Sequence, residues 1–457
     1  MSVVPPRLPL RAAACEVAAV LAQAGHEALF AGGCVRDLLL GDEPKDFDIA
    51  TSATPEEIRA VFPKARGVGE SFGVMLVRHA GYTFEVATFR EDEEYLDGRR
   101  PSGVRFSDAR ADAQRRDFTI NALFQRPDTG DIIDYVDGRA DFAAKILRAV
   151  GHPHERIRED RLRMLRAVRF AARFGFVIDP ETARAIEIHA RELAAVSAER
   201  TGDEVRRMLR DPSRLQAARL IERFGLDEAV FGCQAQPHDW IRLGGVVIEG
   251  LGIESQRSPS VGVSKFEVAL AAWWLDRNAP AGGGSIPRPL DAELERAVGV
   301  LRAKLVLSNE ETFAVLSTLR QRETLLSSFD RLPLAGRVRV AARPGFDAAL
   351  EILRAETPMD AARWRIQADR ELPNRQLPEP LLDGRMLLED GMHAGPRFKL
   401  ILEAALDAQI EGRVVDTRSA LALARELAHT AEEALRGQKA RNHDAEGGQR
   451  ATPPAAK

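Results

Sequence analysis

Two short motifs near the start of the chain contain the residue types best suited to chemistry. The first is Ala31-Gly-Gly-Cys-Val-Arg-Asp37, whose glycines let backbone N–H groups approach a polyphosphate closely. The second is Asp46-Phe-Asp48, whose carboxylates project to one side of an extended strand. Carboxylates suit Mg²⁺, which binds through one or two of them plus substrate phosphates. The pair of motifs predicts two-metal chemistry, in which one ion activates a hydroxyl and the other stabilises leaving pyrophosphate.

A third carboxylate would complete such a site. Asp46 and Asp48 also fit a solvated turn, because acidic residues are common in turns, but their position shortly after the glycine motif favours metal binding. Glu85 is the candidate third carboxylate if its strand lies beside the strand that contains Asp48. The alternative for Glu85 is an outward-facing strand glutamate. The three acids are therefore the expected catalytic residues, with the metal on the first two.

A pair of consecutive arginines predicts a further contact with the nucleotide. They belong to the segment Arg115-Arg-Asp-Phe-Thr-Ile-Asn-Ala-Leu123, which has the composition of a strand after its charged start. Arginine binds phosphate bidentately, so Arg116 is expected on the triphosphate, and Asn121 on a sugar hydroxyl or the backbone. A salt bridge at the strand entry is the alternative interpretation.

An arginine-rich segment further along predicts recognition of a base. Its charged positions follow at intervals of three, so on one helix they would climb a single face; they are Asp160, Arg163, Arg166 and Arg169. An Asp beside an Arg matches cytosine and adenine, which carry an exocyclic amine next to an acceptor, and not uracil or guanine. The alternative is a solvated face of i,i+3 ion pairs. Arginine outnumbers acid here, however, which favours an anionic ligand.

The elements that must position these residues change in character near Gly151. Before it, strands are predicted at 28–31, 47–50, 74–78, 82–88, 119–124 and 132–135, and helices at 11–24, 35–40 and 55–62. Beyond it, Leu- and Arg-rich helical patterns continue to about residue 436. We therefore expect an α+β protein, with a mixed β-sheet and flanking helices followed by an all-helical remainder. Residues 437–457 have the composition of a disordered tail.

Composition narrows the class and the compartment. A chain of 457 residues with 45% hydrophobic and 29% charged residues is typical of a soluble protein of several domains. Its net charge of −4 gives no overall attraction to nucleic acid, so a polyanion site must be local. The three cysteines form no CxxC pair, which disfavours a disulfide framework or zinc ribbon. With no transmembrane or signal-like run, a cytoplasmic protein without a membrane partner is expected.

The assembled motifs resemble those of class II tRNA nucleotidyltransferases and bacterial poly(A) polymerases, in the DNA polymerase beta-like nucleotidyltransferase superfamily. The resemblance covers about Leu29 to Leu226 and its motifs occur in the family's order. They are Gly32-Gly-Cys-Val-Arg-Asp37, Asp46-Phe-Asp48, Asp97-Gly-Arg-Arg-Pro101, Arg115-Arg-Asp117 with Asn121, Glu159-Asp-Arg-Leu-Arg163 and Glu199-Arg-Thr-Gly-Asp-Glu204. The segment 97–107 is similar to the family's mobile loop.

The resemblance also implies roles and a domain layout. It assigns Asp46 and Asp48 to Mg²⁺, Gly33, Arg36 and Arg116 to the triphosphate, and Asp160 with Arg163, supported by Arg166 and Arg169, to the base. It implies a catalytic nucleotidyltransferase head at 1–150, a helical neck with base recognition at 151–226, a helical body at 227–350 and a helical tail at 351–436, ahead of the disordered 437–457.

Two activities are compatible with these motifs. Poly(A) polymerases of this group carry a basic Gly-Arg-Arg-Phe-like element, which is absent from the corresponding Gly69-Glu-Ser-Phe-Gly-Val-Met-Leu-Val77. The resemblance therefore favours template-independent addition of CCA to the tRNA 3′ end from CTP and ATP, with release of pyrophosphate. A poly(A) polymerase, or a partial enzyme that adds only CC or A, is the alternative. The sequence does not indicate an oligomeric state.

Overall fold

The computed structural model describes residues 8–68, 72–92, 104–246, 265–279, 289–395 and 397–430. Several sequence-based expectations lie wholly or partly outside these residues, among them the loop predicted at 97–107, the comparison at 69–77, the end of the helical pattern near residue 436 and the tail at 437–457. The described chain is an N-terminal β-sheet with flanking helices, followed by helices. The expected α+β class is confirmed. Within the described residues, no helix combines the length and apolar character needed to cross a membrane.

The N-terminal head is built on a mixed β-sheet. The strands of the head are β1 (Ala28–Ala31), β2 (Asp48–Thr51), β3 (Arg66–Gly67), β4 (Val74–His79), β5 (Tyr82–Thr88), β6 (Arg90–Asp92), β7 (Val104–Phe106), β8 (Phe124–Gln125) and β9 (Ile132–Ile133). Seven of them form one sheet in the order β3-β4-β5-β2-β1-β8-β9, in which β2 and β5 are parallel and the other neighbours antiparallel. Strands β6 and β7 form a separate antiparallel pair.

Helices cover both faces of this sheet. They are α1 (Leu10–Gln23), α2 (Gly33–Leu40), α3 (Pro55–Val61) and α4 (Ala109–Gln114). A fifth helix, α5 (Gly138–Ala144), packs instead on the turn at Thr119–Asn121 and on residues 146–147. Alternate strand residues face opposite sides, so Phe30 and Ile49 pack with α1, α2 and α3, whereas Leu29 and Ala50 pack on the side of α4. The start of α3 follows from its sequence, because Thr54 and the third helical residue form a capping box.

The segment expected to form a strand at 119–124 is mostly not one. Thr119–Asn121 is a single 3₁₀ turn, and pairing with β1 begins only at Phe124. The carboxylate of Asp117 accepts hydrogen bonds from the N–H of Phe118 and from Nδ2 of Asn121, which closes a tight local turn instead of an extended run. The strand prediction for 119–124 was wrong because the hydrogen bonds to the Asp117 carboxylate stabilise a turn, although the apolar composition of the segment is typical of a strand.

The rest of the described chain is helical apart from one short parallel pair, β10 (Ile146–Leu147) with β11 (Val177–Ile178). Its helices are α6 (Pro153–Glu159), α7 (Arg163–Phe174), α8 (Pro180–His189), α9 (Ala198–Leu209), α10 (Arg214–Arg223), α11 (Glu228–Phe231), α12 (Arg242–Gly245), α13 (Lys265–Arg277), α14 (Asp291–Leu305), α15 (Asn309–Ser327), α16 (Leu334–Ala341), α17 (Phe346–Glu356), α18 (Pro358–Glu371), α19 (Gly384–Glu389) and α20 (Arg397–Ile410). Helical backbone also occupies 417–430.

One hydrophobic cluster joins the predicted neck and body. It extends from Phe118 to Ile352 and includes the fully buried Trp273. Further clusters surround Trp364 and Leu387 in the C-terminal part. The predicted neck–body boundary after residue 226 lies inside the first cluster, so these two regions share a core. The domain boundaries remain predictions.

Gly202 is placed where α9 crosses the end of α14. A Cβ atom there would lie 2.2 Å from the carbonyl oxygen of Leu305 and 2.9 Å from Nη1 of Arg206. Gly299, within α14, is exposed, and a Cβ atom there would meet nothing within 4 Å. Gly202 is therefore required for close helix packing, whereas Gly299 is not. Substitution of Gly299 can serve as the control for substitution of Gly202.

We expect Gly202→Ala to destabilise the protein by roughly 1–3 kcal/mol, because the backbone of Leu305 cannot retreat without disturbing the shared core. Gly299→Ala should instead add roughly 0.5–1 kcal/mol, since alanine favours a helix more than glycine. Thermal unfolding midpoints of the two variants would check this. A Gly202→Ala variant as stable as wild type would contradict the packing described.

Candidate active site

An open cleft of about 1340 Å³ lies between the head and the start of α7. All of the site residues predicted from the sequence except Glu85 line it; they are Gly33, Arg36, Asp46, Asp48, Arg116, Asn121, Asp160, Arg163, Arg166 and Arg169. The residues predicted to contact the triphosphate, the metal and the base thus line the same cavity.

The glycine motif forms the turn between β1 and α2. Gly32 has φ of +68°, which glycine adopts without strain, and α2 begins at the next residue. A Cβ on Gly32 would lie 3.1 Å from Nη1 of Arg116, so the missing side chain also admits that guanidinium. The first N–H groups of a helix lack intrahelical partners and favour anions. Gly33, at the start of α2, therefore presents an anion-binding backbone to the cleft.

The acidic motif lies at the N-terminal end of β2. Phe47 and Ile49 are buried in the core, which leaves Asp46 and Asp48 on the opposite face. The parallel pairing of Ile49 with Val86 places Glu85 next to Asp48 on that face, as the third-carboxylate prediction required. Glu85 is nevertheless exposed and does not line the cleft, so its catalytic role remains a prediction.

The electrostatics of Asp48 fit a cation site. Burial, followed by the charges of Glu85 and Asp46, raises the pKa of Asp48 to about 6, and Arg116 only partly opposes this. Among the described residues, no three His, Cys, Asp or Glu side chains make up a complete metal-ligand set. A hard divalent ion on Asp46 and Asp48 would therefore take its remaining oxygen ligands from phosphate and water, as Mg²⁺ usually does.

Asp112 is a site residue that the sequence analysis missed. Its side chain is only 2% exposed and accepts hydrogen bonds from Nη2 of Arg115 at 2.6 Å and Nη2 of Arg116 at 2.9 Å. This pairing holds Arg116 against the cleft, with its Nη1 donating to the backbone oxygen of Asn121. Asp112 precedes Arg115 by three residues and Arg116 by four, and on a helix this spacing predicts ion pairs. The sequence therefore contained a signal for this contact.

Asp160 does not lie on the same helix as the arginines, and the prediction of one continuous helical face was wrong there. Helix α6 ends at Glu159, Asp160 has extended backbone, and α7 begins at Arg163. The Asp160 carboxylate accepts from the N–H of Leu162, a local contact that competes with helical hydrogen bonding. Arg163, Arg166 and Arg169 do share α7.

Residues of α9 hold Asp160 and Arg169 in place. Nη2 of Arg200 donates to Oδ2 of Asp160 at 2.7 Å, and Nε of Arg169 donates to Glu204, which is buried. The motif Glu199-Arg-Thr-Gly-Asp-Glu204 had no predicted role. In the structure its Arg200 and Glu204 orient Asp160 and Arg169.

Arg163 and Arg166 are also fixed by acidic or carbonyl partners. Nη1 of Arg163 donates to Oε2 of Glu159 at 2.7 Å and to the carbonyl oxygen of Arg156 at 2.9 Å. Nη2 of Arg166 donates to Oδ2 of Asp117 at 2.6 Å, across the head–neck boundary. The guanidinium groups are therefore preorganised rather than free in solvent.

Comparison with known proteins identifies the family. The model for the "Poly A polymerase head domain" matches residues 28–148, and that for the "Probable RNA and SrmB- binding site of polymerase A" matches 175–235. The CCA-adding enzyme of Geobacillus thermodenitrificans is 35% identical over 397 residues, which cover 85% of this chain and 90% of that protein. The chain belongs to the CCA-adding enzyme family. The CCA-adding enzyme of Lactobacillus gasseri is 34% identical, over 87% of this chain and 93% of its own.

A solved structure of the family agrees with this membership. The crystal structure of the Bacillus stearothermophilus CCA-adding enzyme in complex with CTP has a TM-score of 0.69 and 27% identity, and it covers 93% of this chain and 99% of its own. The resemblance inferred from the motifs is thereby confirmed. CCA-adding enzymes are nucleotidyltransferases, a class that generally uses a divalent metal.

Asp48 provides a pH-dependent test of the acidic site. Its pKa rises from the ordinary 3.8 to about 6 on folding, so the native state binds more protons between these values and stability falls as pH rises through them. In metal-free protein, Asp48→Asn should therefore raise the thermal midpoint at pH 7 and have little effect near pH 4. Asp128→Asn, at an exposed aspartate outside the cleft, is the control. An equal gain at both pH values, or a loss at pH 7, would contradict the assignment.

Proposed function

We propose that this protein adds C, C and A in turn to the 3′ end of tRNA, using CTP and ATP without a nucleic-acid template and releasing pyrophosphate. The observation that carries the proposal is the shared cleft, in which the glycine cradle at Gly33, the acids Asp46 and Asp48, and the pair Asp160 and Arg163 face one space. A nucleoside triphosphate has three corresponding parts: phosphates, a reacting α-phosphorus and a base.

The head residues bind and orient the triphosphate. The N–H groups at the start of α2 receive phosphate oxygens, and Arg116, held by Asp112, supplies positive charge beside them. Asp46 and Asp48 would hold Mg²⁺, which when bound activates the tRNA 3′-hydroxyl and stabilises the leaving pyrophosphate. Glu85 is proposed to add negative charge beside Asp48 and so to strengthen binding of the cation.

The neck residues choose the base. A carboxylate has further lone pairs beyond the two that Arg200 and Leu162 occupy on Asp160, so Asp160 can accept from an exocyclic amine. Arg163 donates to the neighbouring ring acceptor. Cytosine and adenine both fit this donor–acceptor order, whereas uracil and guanine present the reverse. Asn121 remains the proposed partner of the sugar or backbone, and Arg166 and Arg169 support the selecting pair.

The remaining assignments are proposals of the same kind. We propose a head at 1–150, a neck at 151–226, a body at 227–350 and a tail at 351–436, with tRNA as the RNA partner. The proposed compartment is the cytoplasm. Poly(A) polymerase is kept as a second candidate because the matched head model carries that name.

Product length separates the candidate activities. Given a tRNA that ends at the discriminator base, the protein should add two residues with CTP alone and three with CTP plus ATP, and then stop. Sizing labelled products on a denaturing gel checks this. A long oligo(A) ladder would replace the proposal with poly(A) polymerase, and a product that stops at CC, or grows only from a CC end, would identify a partial enzyme.

The acidic motif should be required for every addition. Asp46→Ala is expected to lower incorporation of CTP and ATP alike by about 10³-fold or more, because charge stabilisation of the phosphoryl group is lost for both nucleotides. Asp128→Ala serves as the matched control, since that aspartate is exposed and lies outside the cleft. Full activity in Asp46→Ala, or a loss confined to one nucleotide, would remove Asp46 from the metal site.

A further inference from the structure

A second cavity, of about 460 Å³, lies in the helical part of the chain and shares no lining residue with the active-site cleft. It opens beside the loop that joins α11 to α12, and His238 of this loop lines it. The side chain of His238 is only 2% exposed. Its Nε2 is buried without a hydrogen-bond partner among the residues that the structure describes. A buried polar atom without a partner costs free energy, so a ligand from outside the protein is one way to satisfy it.

The protonation of the His238 ring follows from its other nitrogen. Nδ1 lies 2.9 Å from the backbone oxygen of Gln236, which can only accept a hydrogen bond, so Nδ1 carries the proton. In a neutral ring Nε2 then presents a lone pair. The carboxylate oxygen nearest to it is Oε2 of Glu222, at 3.6 Å, which is also an acceptor. Two acceptors therefore lie close together, at a distance too long for a hydrogen bond.

Glu222 belongs to a buried group with one negative charge in excess. Its Oε1 accepts from Nε1 of Trp273 at 2.7 Å and from Nη1 of Arg277 at 2.9 Å. The same Nη1 donates to Oδ2 of Asp227 at 2.7 Å, so a single guanidinium serves two carboxylates. The side chains of Glu222, Asp227 and Arg277 are at most 12% exposed. Such a group needs one more positive charge, because an uncompensated charge is costly away from water.

Either a second proton on His238 or a metal ion can supply this charge. A protonated Nε2 would donate to Glu222, and such a bond usually spans about 2.7–3.2 Å between its heavy atoms. A zinc ion lies about 2.0–2.1 Å from a histidine nitrogen and about 2.0–2.2 Å from a carboxylate oxygen, which puts these two atoms about 3.6 Å apart at an angle of about 120°. The observed separation of 3.6 Å is therefore that of two ligands of one ion.

The hydrogen bonds behind both atoms are those of metal ligands. A histidine that binds a metal usually donates its other N–H to a carbonyl or carboxylate, which fixes the ring and its tautomer. Gln236 accepts this bond from His238, and Trp273 with Arg277 orients the Glu222 carboxylate through its other oxygen. Within the part of the chain that the structure describes, no third His, Cys, Asp or Glu joins the pair. Water in the adjoining cavity would fill the remaining positions.

We propose that His238 and Glu222 form a site for a divalent metal ion of the Zn²⁺ class, bound through Nε2 and Oε2 and separate from the cleft. Imidazole nitrogen suits such ions, whereas Mg²⁺ prefers oxygen ligands, so the two sites differ in the metal that they take. The ion ties the end of α10, which carries Glu222, to the loop before α12. This inference does not depend on the proposed function, since the ion stabilises the fold and takes no part in nucleotide addition.

Titration of the full-length, metal-free protein with Zn²⁺ in excess Mg²⁺, followed by calorimetry and by the thermal midpoint, tests the site. Wild type should bind one ion per chain and unfold at a higher temperature with Zn²⁺ than with EDTA. His238→Asn keeps a side-chain donor for Gln236, and Glu222→Gln keeps an acceptor for Trp273. Each should weaken Zn²⁺ binding by about tenfold or more and lose the gain in thermal midpoint.

His152→Asn and Glu228→Gln are the matched controls, because both residues are exposed and lie outside the cavity. Both variants should bind Zn²⁺ as wild type does. Asp46→Ala should also retain the ion, which would place it outside the cleft.

Three results would overturn the proposal. A wild-type thermal midpoint that is equal in EDTA and in Zn²⁺, a comparison that needs no variant to fold, would show that a second proton on His238 satisfies Glu222. Binding that is lost in Cys233→Ser and kept in His238→Asn would place the ion on that exposed thiol. Equal binding by wild type and every variant would make the ion an adventitious one.

Discussion

The site depends on holding like charges close together, and its arginines are anchored by particular acids with little solvent exposure. Asp112 accepts from both Arg115 and Arg116, and Asp117 accepts from Arg166. An arginine without such a partner would be repelled by its neighbours or would turn to solvent. Because these carboxylates are little exposed and hydrogen-bonded to the arginines, the guanidinium directions are fixed before a nucleotide arrives, and little reorganisation is needed on binding.

The pair Asp117 and Arg166 also joins the N-terminal part of the chain to α7. Burial alone would raise the pKa of Asp117, but the charge of Arg166 and the hydrogen bond from Asn121 bring it below its ordinary value. Such a partly buried pair gives little net stability, because desolvation offsets attraction, but breaking it leaves an uncompensated charge. Its main consequence here is a specific contact that ties α7 to the segment around Asp117.

Local sequence patterns predicted much of the sheet but little of the connections within the site. The bounds of β1 and β5 were predicted as observed, because alternation and turn residues act over short distances. Glu85 was a candidate only on the condition that its strand lies beside that of Asp48, and the parallel pairing in the structure supplies this condition. The turn at Thr119–Asn121 and the helix break at Asp160 were missed, since side-chain contacts decide both. The roles of Asp112, Arg200 and Glu204 depend on tertiary partners, although the spacing of Asp112 from its arginines was visible.

The break at Asp160 has a consequence for how this family can change. Asp160 and Arg163, the proposed base-selecting pair, stand on separate supports, since Asp160 has extended backbone and is tethered by Arg200 whereas Arg163 begins α7. A replacement in α9 can therefore tilt the acidic member alone and leave its basic neighbour untouched. Under the proposed base selection, nucleotide preference can therefore change through α9 while Asp160 and Arg163 themselves stay the same.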